Sequence, residues 1–376
     1  MMPLGKFGKS INMRNNKIIN EDLNNIYDGL TDKEKSKFNN ATVLLTGCGG
    51  FLGYYFVHFL TKFKEQLKIK QVIALENFLT GNKEWLDEIV EEYDFFSLHE
   101  FNIITDDISE VPGAENANLI IHMASIASPT FYRIYPVETI DANITGLRRL
   151  FDYYLNKKVT GFLFFSSSEI YGDPFKEYIP TPESYRGNVN TMGPRACYDE
   201  AKRFGETMCW IFNNQYNFPV TIARPFNNYG PGMSIHDKRL PADFAKCVVE
   251  GDDLNILSDG KPTRTFCYIS DAITGYLKVL LYDKFDVFNI GIDNPEISVK
   301  EFAEIYVKNA KDIFGYTGKV TFGNSDDDDY MTDNPNRRCP VIDKAKELLG
   351  YNPSIHVEEG IARFLEFLKI YNGQLL

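Results

Sequence analysis

No stretch of this 376-residue chain is apolar for long enough to cross a bilayer. Its densest apolar run, Phe51 to Leu60, falls far short of the roughly 20 residues a span needs. Basic residues are outnumbered, 40 Lys and Arg against 52 Asp and Glu, and the formal net charge is −12. That balance argues against nucleic acid or an anionic membrane as the main partner, although a local basic pocket for a phosphorylated small molecule remains compatible with it. Cysteine is sparse. Cys48, Cys197, Cys209, Cys247, Cys267 and Cys339 show neither CxxC nor metal-finger spacing, so reduced, buried thiols are expected. The five histidines are equally dispersed, and no metal site is expected. The opening MMPLGKFGKSINMRNNK is polar and basic, without the apolar core of a signal peptide, so a cytoplasmic location is expected. With 44% hydrophobic residues the chain is too apolar for a disordered protein, and it is long enough for two domains or one large α/β domain with an appended lobe.

Residues 18–39 place Ile18, Ile19, Leu23, Ile26, Tyr27 and Leu30 at helical spacing, which predicts an amphipathic N-terminal helix in a packing or oligomer-contact role. The pattern then changes. ATVLLTG (41–47), QVIALEN (71–77), NLIIHMAS (118–125), GFLFFSSS (161–168) and VTIARPFN (220–227) read as strands buried on both faces. Helical stretches lie between them, at 52–65, around Pro136–Lys157 and around Tyr198–Asn214. Such alternation predicts a doubly wound α/β fold with a parallel sheet. Beyond Asn227 the rhythm loosens into turn-rich segments and a helix around Val299–Phe314, which predicts a smaller second lobe. The acidic run Asp326–Asp329 reads as a solvated loop, since no calcium-loop spacing surrounds it.

The first strand runs into Gly47-Cys48-Gly49-Gly50-Phe51-Leu52-Gly53, where glycines 47, 50 and 53 fit G-x-x-G-x-x-G, a variant of the dinucleotide fingerprint. One glycine makes the turn, one lets the backbone approach a pyrophosphate, and the last lets helix pack on strand, with the helix N-terminus facing the phosphates. Glu76 ends the second strand, where a carboxylate accepts from ribose hydroxyls and repels a 2′-phosphate; this selects NAD over NADP. Further on, Tyr198 and Lys202 stand four apart on one helix face, with Ser167 at a strand end as a hydroxyl partner. An ammonium and the charge of an oxidised nicotinamide both favour a phenolate. Bringing a tyrosine from pKa about 10 toward 7 takes roughly 4 kcal/mol of such stabilisation. Tyr198 is then expected to act as the base that deprotonates a sugar hydroxyl during oxidation.

HMASIASP (122–129), SSSEIYGDP (166–174), GNVNTMGPRACYDEAKR (187–203), ETMC (206–209), ARPFNNYGP (223–231) and TRTFCYISD (263–271) resemble the extended short-chain dehydrogenase/reductases that modify nucleotide sugars, over about Thr42 to Leu368. Within them the nearest resemblance is to the UDP-glucuronate decarboxylases, which make UDP-xylose. The resemblance implies a Rossmann-like NAD-binding domain over 41–223, to which 265–290 return. It also implies a nucleotide-sugar-binding lobe over 224–264 and 291–376, with residues 1–40 as an N-terminal extension. Tyr198 would be the base, Lys202 its support and Ser167 its hydroxyl partner. Glu169 would be an active-site glutamate, and Arg264 would face the substrate carboxylate. Asn227, Arg239 and Arg338 would bind the nucleotide, and Ser168 and Tyr268 would join the substrate site. Contacts to NAD would come from Gly47, Gly50, Phe51, Leu52, Gly53, Glu76, Asn77, Asn102, Ile103, Ala124, Ser125, Tyr198 and Lys202. Helices around Pro136–Lys157 and Tyr198–Asn214 would pair two subunits into a homodimer.

Several positions depart from the decarboxylase pattern. Asp141 stands where Lys is common, Gly232 replaces an Arg, Val341 an Asp, and Asn102 an adenine-reading Asp. Ser168 occupies the place of the acid that 4,6-dehydratases use to expel water, which disfavours dehydration. Three readings follow. One is decarboxylation of a nucleotide-linked uronate. The second is 4-epimerisation or 4-dehydrogenation of a neutral nucleotide sugar. The third is a non-catalytic NAD-binding scaffold, against which the intact Ser167, Tyr198 and Lys202 argue.

Overall fold

The computed structural model describes residues 16–323, 332 and 334–371; the acidic run Asp326–Asp329 lies outside them. Seven strands form one sheet: β1 (Thr42–Thr46), β2 (Gln71–Glu76), β3 (Phe96–Glu100), β4 (Leu119–His122), β5 (Gly161–Phe165), β6 (Val220–Pro225) and β7 (Val287–Ile290). Their order is β7-β6-β5-β4-β1-β2-β3, and every pairing is parallel. The near-continuous apolar strands have the expected cause. Val43, Leu45, Ile121, Leu163 and Phe165 enter one core, while the alternating Leu44, Ile120, Phe162 and Phe164 enter the core on the other face. The order reverses between β1 and β4, and in doubly wound sheets ligands bind at such a switch point.

The sheet is helix-covered on both sides. The helix Phe51–Lys62 follows β1, and the long helix Ala196–Tyr216 precedes β6. The helical run after Pro136 is continuous through Tyr154 but widens to a π turn at Ala142–Gly146, where Asn143 Nδ2 donates to Ser125 Oγ at 3.0 Å. Beyond β6 lie the helix Leu240–Glu250, the parallel strand pair Leu254–Ile256 and Val320–Phe322, and the helix Val299–Phe314, which packs on the helix Val357–Ile370.

One expectation needs correction. The single helix over 18–39 is two: Lys17–Asp28, then Asp32–Ser36. Gly29 and Leu30 end the first, and a capping box of Thr31 with Glu34 starts the second. Ile18, Ile19, Leu23, Ile26 and Leu30 are buried against the helices Phe51–Lys62 and Ile269–Leu280. The apolar face is therefore covered by this chain itself.

Candidate active site

Strand ends and helix starts bring the chemistry together at the switch point. Two cavities, of about 530 and 440 Å³, open on either side of the glycine turn and share Gly47, Gly50, Met123, Ser125 and Ile126 as walls. The smaller is lined by Glu76, Asn77, Asn102, Ile103 and Ala124. The larger is lined by Phe51, Leu52, Gly53, Ser167, Ser168, Glu169, Tyr198, Lys202, Asn227, Arg239, Arg264 and Arg338.

The turn fits a dinucleotide. Gly47 takes φ +70°, and a Cβ there would stand 2.6 Å from the Ala124 backbone. A Cβ on Gly53 would meet the Cys48 carbonyl oxygen at 2.1 Å, so the helix lies directly on the strand end. At Gly50 the nearest atom is 3.9 Å away, leaving room where a phosphate would approach. The helix that begins there has no side-chain cap, so its first N–H groups are available to an anion. Glu76 is nearly buried. One of its oxygens accepts from Gly49 N at 2.7 Å, and the other from Asn77 N and Phe78 N at 3.0 and 3.1 Å. The carboxylate thus ties the turn to the end of β2. Asn102 spends its side-chain oxygen on the Ile104 backbone N–H, leaving its amide NH2 for a base.

The helix Ala196–Tyr216 carries Tyr198 and Lys202 one turn apart, both buried. Tyr198 hydrogen-bonds Ser167 and is stacked on Tyr132, ring centroids 5.1 Å apart. Lys202 donates to the Phe165 carbonyl at 2.7 Å, with its ammonium 5.5 Å from the Tyr198 ring. In this environment burial dominates. It pushes the Tyr198 phenol up to about 12 against the lowering effect of Ser167, and drives Lys202 down to about 7. The expectation that Lys202 brings Tyr198 toward neutrality is therefore not met by the protein's own groups, because the ammonium pays the same desolvation penalty as the phenolate. Ser167 is placed by a neighbour: Ser166 donates to Glu206, which holds the buried Arg224 through two bonds, 2.8 and 2.6 Å.

Glu169 is where the arginines of the larger cavity converge. Its carboxylate pairs with Arg195 and with Arg338 (2.6 Å). Burial works to raise its pKa, but Arg195, Arg338 and Arg264 together hold it below the usual glutamate range. Register explains the convergence. The two-residue strand Arg337–Arg338 pairs with Thr263–Arg264, placing Arg338 beside Arg264, while Arg337 pairs with Glu296 instead. Arg264 donates to the carbonyls of Thr263, Asn336 and Pro335 and to Asn334 Oδ1. No ion pair to it occurs among the described residues, and burial, with Arg338 second, lowers it to about 9. Asp271, seven residues further on, accepts from Ser354 N and Ile355 N. Arg239 pairs with Asp237, and Asn227 donates to the Thr265 carbonyl at 2.8 Å.

One sequence-based assignment changes. Tyr268 is fully buried, donates to Asp22 at 2.8 Å and lines neither cavity, because its strand turns that side chain toward the N-terminal helix. Asp141 also lines neither cavity; it lies within the helical run just before the π turn, accepting from Thr145 at 3.3 Å, so it does not oppose an anionic ligand. At Gly232, φ is +84° and a Cβ would stand 2.7 Å from the Tyr54 ring, which excludes an arginine there. Arg195 and Tyr132 were missed. Arg195 lay in the quoted GPRACYDEAKR, three residues before Tyr198, but only the folded chain brings it to Glu169. Among the described residues no group of His, Cys, Asp and Glu could hold a metal, and no helix is long and apolar enough to cross a membrane.

Residues 43–291 match the model of the NAD dependent epimerase/dehydratase family. The chain is 36% identical over 342 residues to UDP-glucuronic acid decarboxylase 5 of Arabidopsis thaliana, covering 90% of this chain and 93% of that protein. It is 34% identical to UDP-glucuronic acid decarboxylase 1 of Xenopus tropicalis, covering 90% and 74%. Among solved structures, UDP-glucuronic acid 4-epimerase from Bacillus cereus, in complex with UDP-glucuronic acid and NAD, shares the fold with TM-score 0.73 at 23% identity, over 88% of this chain and 99% of that one.

Lys202 gives a pH signature. Its folded pKa of about 7 lies below the ordinary lysine value of 10.5, so between these the unfolded chain holds the extra proton and folding stability rises with pH. Relative to the parent, Lys202→Met is expected to be most favoured at pH 6 and to lose most of that advantage by pH 9.5, as read from urea unfolding of both proteins.

Proposed function

The chain belongs to the NAD dependent epimerase/dehydratase family, and on that premise we propose that it converts UDP-glucuronate to UDP-xylose and CO2 through a 4-keto sugar. The observation that carries this reading is Arg264, a buried guanidinium in the pocket wall with no carboxylate partner among the described residues. Beside it, Arg195 and Arg338 both pair with Glu169, and Arg195 also pairs with Asp199 at 3.7 Å, so three guanidiniums face two carboxylates. A wall with more buried cations than anions favours a ligand that brings negative charge of its own. A uronate carboxylate does so, and a neutral hexose does not.

A dinucleotide held at the glycine turn and the N-terminus of the helix Phe51–Lys62 would supply reversible hydride acceptance at C4. Tyr198, bonded to Ser167, takes the proton of the C4 hydroxyl, and Lys202 on the same helix adds positive charge to its surroundings. With a carbonyl at C4, the C5–C6 bond breaks heterolytically. Its electron pair flows into the C4 oxygen, CO2 departs, and the resulting enolate is protonated at C5. Tyr198 then returns its proton to the C4 oxygen as C4 is reduced. Ser168, buried in the cavity wall, offers no acid for expelling water at C6, which supports decarboxylation over dehydration.

The same reading includes a homodimer. Val137 on the helix Pro136–Asp141 and Phe204, Trp210 and Ile211 on the helix Ala196–Tyr216 are exposed, and these two helices pack together. Light scattering at micromolar concentration is expected to give twice the 43.1 kDa chain mass, and Trp210→Glu to shift it toward the monomer. A parent protein that is monomeric contradicts the dimer.

The function is tested with UDP-glucuronate carrying 13C at C6. Labelled CO2 and a UDP-pentose are expected, with none from UDP-glucose, and Arg264→Ala is expected to lose about a hundredfold or more in turnover. Recovery of a UDP-hexuronate altered only at C4, with the label retained, contradicts decarboxylation and supports epimerisation.

A further inference from the structure

Asp22 lies outside both cavities, yet it joins the elements that build them. Its carboxylate is fully buried. Oδ2 accepts from two tyrosine hydroxyls, Tyr55 at 2.7 Å and Tyr268 at 2.8 Å, and Oδ1 accepts from Arg363 at 3.2 Å. Tyr55 is on the helix Phe51–Lys62, two residues beyond Gly53 of the phosphate turn. Tyr268 follows Phe266 and Arg264, both of which line the larger cavity. Arg363 belongs to the helix Val357–Ile370.

Around this carboxylate the N-terminal segment is sewn to the same elements. Lys62 donates to Asn20 Oδ1 at 2.8 Å, Asn16 donates to Tyr371 at 3.1 Å, and Lys278 pairs with Glu34 at 3.2 Å. The glycine turn and the Arg264 segment therefore meet on one oxygen atom, contributed by a helix that precedes the whole sheet. A hydrogen bond to a charged acceptor is stronger than one between neutral groups, and a buried donor left without a partner is penalised, so the two hydroxyls cannot separate cheaply.

We propose that Asp22 is a positioning residue that sets the phosphate turn against the Arg264 segment, so that the N-terminal helix governs affinity at both halves of the site. This rests on the reading of the pocket as one for NAD and a nucleotide sugar. Asp22 acts on each half through a different hydroxyl. Removing one hydroxyl therefore loosens one half, whereas a purely structural carboxylate would affect only global stability. Burial pushes its carboxyl up to about 7 even with Tyr55, Tyr268 and Arg363 opposing, which is consistent with these donors being needed to keep it charged.

The test uses Tyr55→Phe, Tyr268→Phe and Asp22→Asn in the full chain, with NAD+ and UDP as calorimetric probes and thermal melting as the fold control. Tyr55→Phe is expected to weaken NAD+ about threefold or more with UDP within twofold of the parent. Tyr268→Phe is expected to do the reverse, and Asp22→Asn to weaken both. If Asp22→Asn does not fold, the two tyrosine variants decide. Both tyrosine variants binding both probes within twofold of the parent, with only the melting temperature lowered, overturns the proposal. So does equal weakening of both probes in each. A parent that binds NAD+ and UDP yet releases no CO2 fails the decarboxylase reading and leaves this test intact, while a parent that binds neither probe overturns both.

Discussion

Two arginines in the pocket wall pair with Glu169, one of them also with Asp199, and a third arginine beside them has no carboxylate partner among the described residues. The rest of the site follows from that imbalance. Burying a guanidinium without a counter-ion is costly unless its donors are satisfied, and here backbone carbonyls and Asn334 satisfy those of Arg264 without neutralising it. The wall is thus preorganised for a negative group, which the electrostatic view of catalysis requires to be in place before the reaction starts. The short strand pairing of Arg337–Arg338 with Thr263–Arg264 makes the arrangement rigid, because register fixes which arginine faces inward.

The Tyr198–Lys202 wall works under the same constraint of burial. Burial makes both ionised forms of the Tyr198–Lys202 pair expensive, raising the phenol and lowering the ammonium. A dry pocket strengthens every interaction inside it. It also means that the base depends on charge brought by what binds, so binding and activation are one event at this wall.

The sheet was legible because its strands are apolar on both faces and its phosphate turn follows one of them. β1, β2, β4, β5 and β6 lie within the expected runs, and the helix Val299–Phe314 has its expected bounds. β3, FSLHE, escaped notice because an edge strand buried mainly on one side carries polar residues. Of the site, residues joined by local spacing were readable: the glycines, Glu76, and Tyr198 with Lys202. Residues joined by register or by long-range contact were less so. Arg195 meets Glu169 only after the strand-to-helix turn folds. Tyr268 shares a sequence segment with Arg264, but the two lie on separate two-residue strands that pair with different partners, and Tyr268 points to Asp22. No local pattern announces a carboxylate that serves three distant donors.

The account stands on the wall's preference for an anionic sugar, and a binding measurement that requires no turnover reads it most directly. Calorimetry of UDP-glucuronate and UDP-glucose is made on the NAD+-loaded Tyr198→Phe protein, with and without Arg264→Ala. UDP-glucuronate is expected to bind at least about tenfold tighter, a difference of about 1.4 kcal/mol, and to lose that advantage when Arg264 is removed. Equal affinity for the two sugars, or a preference for uronate that survives without Arg264, would contradict the account.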